Sequence, residues 1–166
     1  MENVIVGNVC SLCAMTTDII SSSRKTGKGV IIMQTFSQVF YAVGSLFLGG
    51  YSAAVQNGIS ILRNIAAISK IKSRILEWVF IIAGVVIGIY FNNLGLIGFI
   101  PIVSNFGYSL CVFKFKHKER LLKIAFAVTM FMYVFFNFAI LNYVGAVSNL
   151  ITFIVTMVSV IKNRKK

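Results

Sequence analysis

The sequence predicts an all-α membrane protein in which seven transmembrane helices form a 3+1+3 parallel-repeat arrangement. Three observations carry this expectation. First, 58% of the 166 residues are hydrophobic and 12% charged, with a mean hydropathy of +0.88; a soluble domain of that composition would expose far more apolar surface than such domains tolerate. Second, sixteen Lys and Arg stand against four acids, Glu2, Asp18, Glu77 and Glu119, for a net charge of +12. These cations sit in short clusters between long apolar runs, which is the distribution of cytoplasmic loops and not of a nucleic-acid-binding face. Third, the stretch Tyr51-Ser52-Ala53-Ala54-Val55-Gln56-Asn57-Gly58-Ile59 returns 92 positions later as Tyr143-Val144-Gly145-Ala146-Val147-Ser148-Asn149-Leu150-Ile151, with five of nine residues identical.

The same shift pairs Tyr41 with Tyr133, Arg24 with Lys116, Lys28 with Arg120, Lys70 with Lys162 and Lys72 with Arg164. Apolar segments and charged ends repeat together, as an internal duplication requires. Each copy places one uncharged amide, Asn57 or Asn149, at the same depth of an apolar helix.

A spanning helix needs about 20 mostly apolar residues, within a range of roughly 17 to 25. Seven segments meet that length. Helix one runs from Val4 to Ser21; Glu2 stands where a signal peptide has its basic region, and no small-residue cleavage site precedes a polar start, so the segment is expected to stay in the protein. A loop holding Arg24, Lys25 and Lys28, punctuated by Gly27 and Gly29, leads into helix two, Val30 to Leu48. Gly49-Gly50 turns the chain into helix three, Tyr51 to Ser69, which Lys70, Lys72 and Arg74 close. Helix four, Ile75 to Phe91, ends at Asn92-Asn93, and helix five, Leu94 to Phe113, carries the single proline, Pro101. After a strongly basic loop around His117 come helix six, Leu122 to Leu141, a turn at Asn142 and helix seven, Tyr143 to Ile161.

Every second connection is basic and the others are uncharged, so all sixteen cations except Arg63 fall on one side. The positive-inside rule makes that side cytoplasmic, with the N-terminus outside and the C-terminus inside. Three helices leave the chain on the far side, so a fourth crossing is needed before the second copy starts as the first did; the copies are then parallel, related by an axis along the membrane normal. The expected units are residues 1–74, a connector at 75–93, and 94–166. The connector has no polar side chain from Val79 to Ile89 and carries the small-xxx-small pair Gly84 and Gly88, the character of an outer brace.

In lipid a polar side chain is best turned toward protein or a watery cavity, so polar residues at helical spacing mark the inward face. Helix one offers Asn8, Ser11, Met15, Asp18 and Ser22; helix two Gln34, Gln38, Tyr41 and Ser45; helix three Gln56, Asn57, Ser60, Arg63 and Asn64. Helix five offers Ser104, Asn105 and Tyr108; helix six Thr129, Tyr133 and Asn137; helix seven Ser148, Asn149, Thr152, Thr156 and Ser159. Arg63 is the sharpest single residue. At the centre of a span it would cost about 2.5 to 3.5 kcal/mol on insertion scales; the readings open to it are a structural pair with Asp18, contact with an anionic group, and snorkelling to lipid phosphate, and the second copy has Val155 in its place. Pro101 frees a carbonyl and favours a kink, either a hinge beside a cavity or a kink simply packed against its neighbours; the hinge is the expectation carried forward. Cys10-x-x-Cys13 reads as small packing residues on one helix face, without a second pair or His for metal. Paired carboxylates, a Ser-His-Asp set and a nucleotide-binding glycine loop are all missing from the sequence, so no enzyme chemistry, cofactor or metal is expected.

Three helices, a connector and three more, with an asparagine in the third helix of each copy, resemble the SWEET and PQ-loop superfamily of small transporters. Through Gly49-Gly50-Tyr51-Ser52-Ala53-Ala54-Val55-Gln56-Asn57 leading into Arg63-Asn64, and through length and helix order, the chain more closely resembles the YgjV family of bacterial inner membrane proteins. The SWEET resemblance implies a central cavity between two three-helix bundles that opens alternately to either side, with Asn57 and Asn149 touching the solute. The chain departs from that pattern in having no Pro-Gln pair and in placing Trp78 on the connector. The expected function is transport or facilitation of a small polar solute across the inner membrane, with Asn57, Asn149, Gln38, Tyr41, Tyr133, Ser60, Arg63, Asn8 and Asn105 as binding residues and Pro101 as hinge. The alternative is a non-transporting receptor or assembly partner. Expected partners are the solute, the lipid bilayer and a second copy in a homodimer, with no nucleic acid.

Overall fold

The computed structural model describes residues 2–69, 73–140 and 142–162. Among them are seven α-helices and no strand: α1 (Glu2–Ser23), α2 (Gly27–Phe47), α3 (Tyr51–Ile68), α4 (Arg74–Tyr90), α5 (Phe99–Phe115), α6 (Glu119–Ala139) and α7 (Tyr143–Lys162). The repeat partners Lys70, Lys72 and Arg164, the tail lysines Lys165 and Lys166, and Leu141 lie outside the described residues. Four helices, α1, α2, α6 and α7, are long and apolar enough to cross a membrane. The expectation of seven is met only in helix number: α4 and α5 have 17 residues each, and α3, with 18, is diluted by Gln56, Asn57, Arg63 and Asn64.

Local chemistry sets the helix ends. Thr26 caps α2 by accepting from Gly29 N at 3.1 Å, Ser73 caps α4 by accepting from Leu76 N at 3.3 Å, and Asn142 Oδ1 accepts from Gly145 N at 3.0 Å before α7. Gly49 closes α2 with φ at +74°, which a side chain would resist, while Gly50 N donates to Ser45 O at 2.9 Å. The largest departure from the expected boundaries is at α5, which starts at Phe99 and not Leu94. Asn92 holds the preceding turn, accepting from Leu94 N at 3.1 Å and donating to Gly95 O at 2.9 Å, with Gly95 at φ +58°.

Six helices close into a ring in the order α1, α2, α3, α5, α6, α7, with α7 returning to α1 and α4 packed outside on α3 and α5. Ser159 Oγ donates to Ser22 O at 2.6 Å and Ser22 Oγ meets Thr156 Oγ1 at 2.6 Å, which joins the C-terminal halves of α1 and α7 and makes them parallel. The interior is reversed relative to a soluble domain. Among the described residues, the buried set contains 24 polar or charged residues and 19 apolar ones, while Phe36, Leu62, Trp78, Ile82, Val103 and Phe135 all stand exposed on the outside. In water such a surface would be costly at about 25 cal/mol per Å² of apolar area, and in lipid it is not.

One apolar cluster of the core lies toward the basic end. Ile31, Ala67, Tyr108, Val112, Leu122, Phe126 and Met130 form one buried cluster there. α4 buries only Ile81, Gly84 and Gly88. A Cβ at Gly88 would overlap the Gln56 amide and come within 2.9 Å of Ile102, so this glycine lets α4 approach the ring closely.

Candidate functional site

The polar stripes of the ring helices converge on a cavity of about 40 Å³. At roughly 10 to 15 Å³ per water-sized sphere, it has room for about three waters or one small solute. All six ring helices contribute to its lining, which runs from Leu48 and Asn142 at the uncharged end down to Tyr108, Phe126 and Met130. Below that floor the buried cluster of Ile31, Ala67, Val112 and Leu122 fills the space toward the basic end. Among the described residues the lining carries no charged side chain; its polar groups are amides and hydroxyls.

Seven of the nine sequence-derived candidates line this cavity: Gln38, Tyr41, Asn57, Ser60, Asn105, Tyr133 and Asn149. Asn57 and Ser60 lie three residues apart on α3 and so share its inner face. The amide of Asn57 makes no hydrogen bond to protein among the described residues, whereas Asn149 Oδ1 accepts from Tyr41 Oη at 2.9 Å. The same tyrosine hydroxyl stands 3.1 Å from Asp18 Oδ2, so α1, α2 and α7 meet at one hydroxyl. Asp18 is fully buried, and its Oδ1 has no hydrogen-bond partner.

A second network lies across the cavity. Arg63, fully buried, donates from Nη1 to Asn105 Oδ1 at 2.6 Å and to Ser109 Oγ at 2.8 Å, and from Nε and Nη2 to Asn64 Oδ1 at 3.1 and 2.9 Å. Its guanidinium lies 5.0 Å from the ring centroid of Tyr108, whose hydroxyl bonds Gln34 Oε1 on α2. Asn105 also accepts from Ser60 Oγ at 2.7 Å and donates to Gln56 Oε1 at 2.6 Å, and Gln56 donates to Gly84 O at 2.6 Å. One chain of polar contacts therefore joins α2, α5, α3 and α4.

Three expectations are corrected. Arg63 does not pair with Asp18, because α2 separates α1 from α3 and Arg63 turns instead toward α5. Asn8 is half-buried outside the cavity: α1 turns Gly7, Ser11, Ala14 and Asp18 inward, and a neighbour of Gly7 points about 100° away. Pro101 is the third residue of α5, within the first turn, where backbone N–H groups have no intrahelical partner. The Ile97 carbonyl four residues earlier accepts from Ile100 N at 3.1 Å, so no helical bond is lost and no kink follows.

Lining residues absent from the candidate set are Ser11, Tyr108, Asn137 and Asn142 among others. The first three lie on the polar stripes, so helical periodicity alone would have included them. Asn142 gave no such signal because it lies between helices, capping α7 and donating to Asn137 Oδ1 at 3.0 Å.

The basic end is closed by polar contacts as well as by the apolar cluster. Lys123, 1% exposed, pairs with Glu119 at 2.7 Å and reaches Ser159 Oγ at 3.3 Å, which continues to Ser22 and Thr156. On the other side Gly27 packs against the backbone of Lys116 and 3.3 Å from Leu122, as judged at the position of a Cβ. Cys10, Cys13 and Cys111 are free thiols. Among the described residues no group of three or more His, Cys, Asp or Glu gathers as for a metal.

A family model described as Imp-YgjV, bacterial inner membrane protein, matches residues 5–166. No curated protein and no solved structure matches the chain.

Proposed function

The chain belongs to the Imp-YgjV family of bacterial inner membrane proteins, and from that premise we propose that it passes a small polar solute across the membrane by alternating access, in SWEET-like fashion. The observation that carries this reading is the cavity: a site lined by amides and hydroxyls from six helices, enclosed by an apolar exterior. Polar surface of that extent inside a membrane protein needs a hydrogen-bonding occupant, water or solute. All seven helices cross, α3 with its polar residues turned to α4 and α5, and α4 and α5, of 17 residues each, at the short end of the spanning range. On this reading the basic end faces the cytoplasm and the N-terminus faces outside, so that a conformation filled at the basic end is the outward-facing one.

The neighbour pattern supports the parallel 3+1+3 repeat. Under the 92-residue shift α1 becomes α5, α2 becomes α6 and α3 becomes α7; the contact of α1 with α7 then maps onto that of α5 with α3. Wall residues repeat too, Asn57 with Asn149, Tyr41 with Tyr133 and Ser45 with Asn137. Each half is an arc with its middle helix between the outer two. Rocking of one arc against the other would part the basic ends and open the floor.

The test is uptake into proteoliposomes over a panel of small polar metabolites. Asn57→Ala, which breaks no hydrogen bond within the described protein, should lower flux at least tenfold while the protein stays monodisperse and melts as before. Flux at the empty-liposome level for every solute would reject transport. It would leave the alternative, a receptor or assembly partner whose basic end, with Lys114, Lys118 and Arg120 near one loop, rests on anionic lipid.

A further inference from the structure

The walls of the cavity repeat between the halves, but what stands behind them does not. Behind Tyr41 and Asn149 lies the carboxyl of Asp18, one hydrogen bond of 3.1 Å from the wall. Behind Ser60 and Asn105 lies the guanidinium of Arg63, one hydrogen bond of 2.6 Å from the wall. The 92-residue shift carries Asp18 to Leu110 and Arg63 to Val155, so both charge-bearing groups belong to the first half, they carry opposite signs, and the second half answers neither. Both are fully buried, they do not pair with each other, and Asp18 Oδ1 is left without a partner. Their hydrogen bonds put them on different sides of the ring: Asp18 meets Tyr41 of α2, which continues to Asn149 of α7, and Arg63 meets Asn105 and Ser109 of α5.

We propose, resting on the transport reading, that the solute is dipolar: a small zwitterion with an ammonium group toward Asp18, Tyr41 and Asn149 and a carboxylate toward Arg63, Ser60 and Asn105. A buried ionisable group is expensive unless met by an opposite charge or a strong hydrogen-bonding partner. A zwitterion supplies both opposite charges at once, and the intervening amides and hydroxyl hydrogen-bond its ends. A simple anion would be drawn to the arginine side and gain nothing from the carboxyl, and a simple cation the reverse. A neutral polyol would bring no counter-charge, leaving the Asp18 carboxyl uncompensated and Arg63 held by its neutral hydrogen-bond partners alone. The opposed charges also give the cavity a direction, so the solute binds in one orientation although the walls are two-fold related.

The experiment is uptake by reconstituted full-length protein of solutes matched in size and differing in charge: glycine and alanine, glycolate and lactate, ethanolamine and 1-amino-2-propanol, glycolamide and lactamide. The proposal expects glycine or alanine to enter at least tenfold faster than its anionic, cationic and neutral counterparts. Asp18→Asn and Arg63→Lys separate the two ends: the first should cut zwitterion uptake at least tenfold, and the second, which keeps the positive charge, should retain most of it. Faster uptake of the glycolate, ethanolamine or glycolamide series than of the amino acids overturns the dipolar reading and leaves transport standing. So does an Asp18→Asn protein that keeps the full preference for zwitterions. Absence of flux for every solute, in wild type and variants alike, rejects the transport reading itself.

Discussion

Arg63 gives up all contact with water without gaining a carboxylate, and its hydrogen bonds to Asn64, Asn105 and Ser109 carry the cost. Hydrogen bonds to a charged group contribute roughly 1.5 to 3 kcal/mol each at most, so removing the guanidinium strands several partners at once. Arg63→Met is expected to lower the yield of folded protein several-fold and to depress the melting temperature in detergent; a melt equal to wild type would show that the network is dispensable. Tyr41 holds the opposite side. Tyr41→Phe removes the one hydroxyl shared by Asp18 and Asn149, and stranding those buried oxygens should cost about 1 to 3 kcal/mol, above the average of about 0.6 kcal/mol for a single bond between membrane helices. Denaturant titration reads this directly, and a change below about 0.3 kcal/mol would contradict the bridge. Residue periodicity made these inward faces legible, because polar side chains at spacings of three and four can face only one way on a helix. Pairing was not legible. That Arg63 turns to α5 and Asp18 to α2 depends on which helices are neighbours, and no spacing within one helix carries that information.

At the scale of elements, glycine contacts control how closely helices approach. α4 is held by the Gly84 carbonyl and the bare surface of Gly88 against Gln56 and Ile102. Gly88→Leu should push α4 off the ring and release Gln56, with a loss of roughly 1 to 3 kcal/mol as for other overpacked cores. Hydrogen exchange confined to α4 and the start of α5 would report it, whereas exchange unchanged there would argue against close packing. At the basic end Gly27 lies against the Lys116 backbone, and a side chain there cannot be accommodated without parting α2 from the turn before α6. Gly27→Val is therefore expected to favour the conformation open at the basic end, seen as faster maleimide labelling of a cysteine placed at Ala67 from that side. Labelling no faster than in the glycine protein would remove this contact from the gate. The helices themselves were legible in the sequence to within a few residues, except at α5. There the residues 94–98 look apolar enough for helix, but Asn92 and Gly95 hold them in turns, and this moves Pro101 into a first turn where it costs nothing.

For the whole molecule, the transport reading requires Asn57 and Asn149 to face a hydrated cavity between two like-oriented arcs, and not lipid or dry protein. The apolar exterior, the polar interior and the concentration of cations at one end were all legible in composition and pattern, since each is a statement about which solvent a surface meets. Closure of the ring through α1 with α7 and α3 with α5 was not legible, because it depends on contacts between helices far apart in the chain. The most direct measurement is thiol labelling in a cysteine-free background, with single cysteines at Asn57, Asn149 and the exposed Val147, using a membrane-impermeant reagent added to either face of oriented vesicles. Asn57→Cys and Asn149→Cys should both react from the outer face, a dipolar solute should slow the reaction at both, and Val147→Cys should stay unreactive in lipid. Equal silence at Asn57→Cys and Asn149→Cys, or reactivity at one and not the other, would contradict a shared aqueous site.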